Sequence, residues 1–121
     1  MHSKSVAAIF GEIVWLMSQS ARHRDLVLGS LEASVMPAIL LRQFRIFYQE
    51  QQPIAAVLYA RLSNDLHQCI LTGKHEKSLT FEDWQSGQIV HIKEVVSPFS
   101  ESDPFVTDTL EKLRQLGSVV S

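Results

Sequence analysis

A single cysteine in 121 residues, Cys69, rules out an internal disulfide and leaves nothing to tie the chain to an oxidising compartment. Long apolar runs are missing too. None approaches the roughly 20 residues that a membrane-spanning helix needs. The apolar stretch from Val6 to Met17 is interrupted by Glu12, and no small-residue cleavage site follows it before Arg22 and Arg24. The expectation is a cytoplasmic protein with no membrane span. Neither sign of charge dominates: 11 Lys and Arg stand against 13 Asp and Glu, net -2. A nucleic-acid partner, which calls for a basic footprint, is not expected. His2, His67, His75 and His91 lack zinc-ligand spacing, and no paired cysteines accompany them, so no metal site is expected. No Gly-rich turn is present to cradle a pyrophosphate at a helix N-terminus, which makes coenzyme A a poor candidate cofactor.

What is present suits one compact domain over residues 1–121, with 45% hydrophobic and 20% charged residues. From Lys4 to Ser18, Ile9, Ile13 and Leu16 recur at helical spacing. A polar, basic turn from Ser18 to Asp25 follows. Leu31–Leu41 reads as helical with a break near Val35, because Pro37 is tolerated only in the first turn of a helix. The period then falls to two. Phe44, Ile46 and Tyr48 alternate with Arg45, Phe47 and Gln49, and 54–62 forms a second strand after a short connection that suits an antiparallel hairpin. Ser63 caps a helix that ends near Gly73, Gln88–Val96 reads as a third strand, and Asp103-Pro104 opens a last helix stopped by Gly117. Helices interspersed with strands predict an α/β or α+β domain, a mixed sheet flanked by helices.

Two polar residues stand out against this pattern. His23 lies in the turn, outside the apolar periodicity, and is either a solvated histidine or a base. Glu94 shares strand parity with Val90, Ile92 and Val96. A carboxylate on an apolar face requires a partner, and a histidine that it could orient would serve. The alternative is a wet residue at the strand's end. Ser20, three residues before His23, either holds the imidazole or caps the turn. Cys69 fits a helix interior, and Trp15 and Trp84 fit packing roles or the wall of a pocket for an apolar chain.

Phe10–Met17 followed by Ser20 and His23-Arg24, then Val35–Ile39, Gln43-Phe44, Pro53–Ala55, Tyr59–Ser63, Asp83–Gly87 and Ser97–Phe99 resemble, in order and approximate spacing, segments of the RTX toxin-activating lysine acyltransferases. The resemblance implies a Gcn5-related acyltransferase-like fold, shortened here at the C-terminus and with a sheet edge open for pairing in a homodimer. It implies no cofactor: acyl carrier protein brings the acyl group as co-substrate, and internal lysines of an RTX-type protoxin receive it. The family's essential histidine carries over to His23 and its serine to Ser20. Its catalytic aspartate falls at Glu94, one methylene longer. Gln88-Ile89 replaces a usual Asp-Arg, and Leu58-Tyr59-Ala60 a usual Ser-Trp-Ala. An acidic carrier calls for a basic docking face, with Arg22, Arg24, Arg42, Arg45 and Lys93 as candidates. Two other readings stay open: a relative that binds carrier or toxin without turnover, and an acyltransferase acting on small amines.

Overall fold

The computed structural model describes residues 4–73 and 79–117 and the backbone of 119–120. The polar stretch expected from Lys74, His75 within it, and His2 lie outside the described residues. Helix α1 (Val6–Ser18) starts where Ser5 Oγ accepts a hydrogen bond from the Ala8 amide, and it buries Ile9, Ile13, Leu16 and Met17. The expected break is found. Helix α2 (Leu28–Ser34) ends at Val35, and α3 (Met36–Leu40) begins with Pro37 in its first turn. Strands β1 (Phe44–Gln49) and β2 (Gln52–Leu62) form the hairpin. Helix α4 (Asn64–Leu71) is capped by Ser63, and Gly73 at φ 74° follows its end. Strand β3 (Ile89–Val96) leads to α5 (Asp103–Gln115), and β4 (Val119–Val120) closes the order.

The architecture is mixed α/β. The sheet runs β1-β2-β3-β4, with the first three strands antiparallel and β4 parallel to β3. Strand β2 feeds both faces by alternation. Ala56, Leu58, Ala60 and Leu62 join the main core with α1, α2 and α3, and Phe44, Ile46, Leu66 and Ile70 pack against it. On the other face Tyr59, Val90 and Leu113 form a smaller cluster with Ile92 and Leu110, which brings in α5.

Glu94 does not share a face with Val90 and Ile92, as the simple alternation requires. Tyr59 pairs with Ile92, but Leu58 pairs with Glu94, so Lys93 is an extra residue bulged out of β3. A bulge of one residue reverses the alternation beyond it. Val90 and Ile92 therefore pack towards α5, whereas Glu94 and Val96 turn to the α1 side.

Several of the segments that carry the resemblance meet at one end of the sheet. Gln43 Nε2 donates to the carbonyls of Tyr59 and Trp84, the Arg61 amide donates to Trp84 O, and the Gly87 amide donates to Arg61 O. Thr80 and Asp83 exchange reciprocal backbone-to-side-chain hydrogen bonds just before Trp84. The result locks Trp84 in place, 1% exposed, against the main core.

Candidate active site

The turn after α1 is built from local hydrogen bonds. The amides of His23 and Arg24 both donate to Ser20 O, and the Leu26 amide donates to His23 O. This sets Ser20 and His23 side by side, with Ser20 Oγ 2.7 Å from His23 Nδ1. From the sheet, the bulged β3 delivers Glu94, whose Oε1 lies 2.6 Å from His23 Nε2 across 71 residues of sequence. His23 is 5% exposed and the Glu94 side chain 21%. The bland reading of a solvated histidine is therefore excluded.

Chemistry assigns the protons. With the carboxylate ionised and the ring neutral, Nε2 carries the hydrogen and Nδ1 accepts from the Ser20 hydroxyl; the imidazolium donates at both nitrogens instead. A hydroxyl, an imidazole and a carboxylate thus stand in one hydrogen-bonded line.

The expected basic docking set divides: Arg22, Arg24 and Lys93 line cavities that also reach His23 or Glu94, and Arg45 does not. Arg22 comes within 3.7 Å of Glu94 Oε1, but its side chain is 76% exposed, and such contacts contribute about 0–1 kcal/mol. Arg24 lines a small cavity beside His23. Arg45 lies on the opposite face of the sheet, paired with Asp108 and stacked over Phe47.

Two clefts with no lining residue in common reach the Ser20–His23–Glu94 line. One of about 370 Å³ exposes Ser20 and His23 among Ser97, Ser100 and Ser102. The other, of about 450 Å³, reaches Glu94 between α2 and Trp84. Sequence reasoning offered Trp84 as a packing residue or as a pocket wall, and it did not foresee the α2 side of the second cleft. Its signal was the small-residue face Ser30, Ala33, Ser34 at helical spacing, opposite a tryptophan. Among the described residues no group of three His, Cys, Asp or Glu could hold a metal, and no helix is long and apolar enough to cross a membrane.

Residues 2–118 match the model of the RTX toxin acyltransferase family. The chain belongs to that family. Among relatives of this RTX toxin acyltransferase family member, the lysine-acyltransferase RtxC of Vibrio cholerae is 31% identical over 104 residues, 85% of this chain and 67% of the relative. The leukotoxin-activating lysine-acyltransferase LktC of a Pasteurella haemolytica-like species is 33% identical over 103 residues, 85% of this chain and 61% of that protein. The protein-lysine myristoyltransferase RtxC of Kingella kingae is 32% identical over 92 residues, 76% of this chain and 54% of the relative. The chain spans between about half and two thirds of the length of these relatives.

Proposed function

We propose that this chain is a protein-lysine fatty acyltransferase, built on a Gcn5-related acyltransferase-like scaffold, that moves an acyl group from acyl carrier protein to internal lysines of an RTX-type protoxin. A cytoplasmic location and homodimeric assembly belong to the same reading. The observation that carries it is the imidazole of His23 bonded at both nitrogens, to Ser20 and to Glu94, with one cleft open to Ser20 and His23 and another to Glu94. The names of the relatives support lysine as acceptor, an RTX or leukotoxin protein as the activated partner and, for one of them, a myristoyl chain as cargo.

A lysine ammonium, with an ordinary pKa of about 10.4, must lose a proton before its nitrogen attacks a thioester carbonyl. Nδ1 of His23 accepts that proton, through the Ser20 hydroxyl or after it turns aside, and Glu94 steadies the imidazolium that forms. The C–N bond forms and the C–S bond breaks; of the two protons the ammonium loses in becoming an amide, one leaves on the carrier thiol and the other passes to solvent. General-base assistance of this kind contributes about 10²–10⁴-fold.

The test is co-expression with an RTX-type protoxin, followed by mass spectrometry for fatty-acylated lysine. His23→Ala is expected to reduce the modification to background. Full acylation by that variant removes the mechanism. Binding of acyl carrier protein by the native chain with no modified lysine in any matched substrate instead identifies a non-catalytic relative.

A further inference from the structure

We infer that the cleft between α2 and Trp84 holds the fatty acyl chain of the donor, and that Ala33 and Ser30 set the length it accepts; this rests on the acyltransferase reading above. The cleft exists because α2 turns Ser30, Ala33 and Ser34 towards Leu79 and Trp84, and these small side chains do not fill the gap. Its volume of about 450 Å³ falls within the roughly 300–1,000 Å³ typical of small-molecule pockets.

Three observations specify the occupant. The walls are largely apolar, with Leu26, Ala33, Leu79 and Trp84, while one end carries Lys93 and Glu94 beside the His23 contact. A ligand that fits must join an apolar body to a reactive polar end. Secondly, Leu26, Val27 and Leu28 stand 47%, 71% and 72% exposed in succession. Leu26 lines this cleft, and with Leu28 it also lines the small cavity that touches His23. Isolated exposed leucines are ordinary, but a contiguous apolar lip on a cleft marks a binding surface. Thirdly, Trp84 Nε1 is buried with no hydrogen-bond partner among the described residues. Native proteins rarely leave such a donor unmade, and a shift of the Trp84 ring that bares Nε1 to the cleft lets a carbonyl oxygen on a bound donor supply the acceptor. A fatty acyl thioester combines the apolar body, the carbonyl and the reactive carbon.

Each methylene buried completely is worth roughly fourfold in binding. An open cleft covers the chain only in part, so tetradecanoyl is expected to bind on the order of 10–10² times more tightly than octanoyl. Ala33 and Ser30 are both exposed, so enlarging them fills the cleft without disturbing the core.

The experiment titrates the native chain, Ala33→Phe and Ser30→Leu with acyl carrier protein loaded with octanoyl or tetradecanoyl groups. Calorimetry gives affinities, and lysine acylation is measured in parallel. Both variants are expected to lower the tetradecanoyl-to-octanoyl affinity ratio at least tenfold. Glu32→Ala, on another side of α2, is expected to leave it unchanged. A native chain with no length preference, or variants that keep the native ratio with unchanged melting curves, overturns the inference. Lysine acylation that persists beside an unaltered ratio removes only the cleft assignment. A shifted ratio with no acylated lysine in any arm upholds the cleft and removes the acyltransferase reading.

Discussion

Glu94 reaches His23 at 2.6 Å with a side chain one methylene longer than aspartate. Glu94→Asp withdraws the carboxylate by about one C–C bond, ~1.5 Å. Lysine acylation is then expected to fall on the order of 10–10²-fold, since misplacements of about an ångström have effects of that size. Quantitative mass spectrometry of the protoxin checks this, and a rate within twofold of native shows that the longer arm is incidental. The need of Glu94 for a partner was legible in the sequence, because a charge among valines and isoleucines is costly without one. Its direction was not. Parity counting assumes an unbroken strand, and the extra Lys93 is a feature of pairing with β2 that no local pattern in β3 reveals.

At the scale of elements, several helix ends were legible because they carry their own chemistry: Ser63 as a cap, Pro37 and Pro104 in first turns, Gly73 and Gly117 at positive φ; the Ser5 cap and the uncapped start of α2 at Leu28 were not. Strand β4 was missed, since two residues carry no period. The segment crossing the end of β2 was also hidden, although Gly87 marks it. A Cβ at that position would sit 2.4 Å from Leu62 O and 2.6 Å from the Ser63 Cα, so the segment cannot lie where it does with any other residue. Gly87→Ala is expected to cost at least about 1–3 kcal/mol, as overpacking does, and to loosen Trp84 with it. Chemical denaturation followed by tryptophan fluorescence measures both. An unchanged midpoint and spectrum show that the segment shifts freely.

At the scale of the whole molecule, two histidines meet outside the candidate site. His67 on α4 meets His91 on β3 edge-on, with ring centroids 6.1 Å apart. Burial first, then the Lys93 and His67 charges, hold His91 below its ordinary value of 6.5. The unfolded chain therefore takes up this proton at higher pH than the folded one. Stability contributed by neutral His91 is complete above about pH 6.5 and is lost as pH falls through that value towards the folded one. His91→Gln is expected to flatten the decline in melting temperature between pH 7 and pH 5, and an identical slope in the variant refutes it. The mixed α/β class was legible, and the His23–Glu94 partnership stood there beside a solvated alternative; the extent of the clefts was not legible, because spaces between elements depend on packing that local patterns encode only in part. The 71 residues separating His23 from Glu94 have a consequence during synthesis. As the chain leaves the ribosome, the imidazole emerges long before its carboxylate, and β1, β2 and α4 must be made before β3 can dock. A nascent or truncated chain thus carries His23 without its carboxylate contact, and the pair is assembled only once translation has passed the third strand.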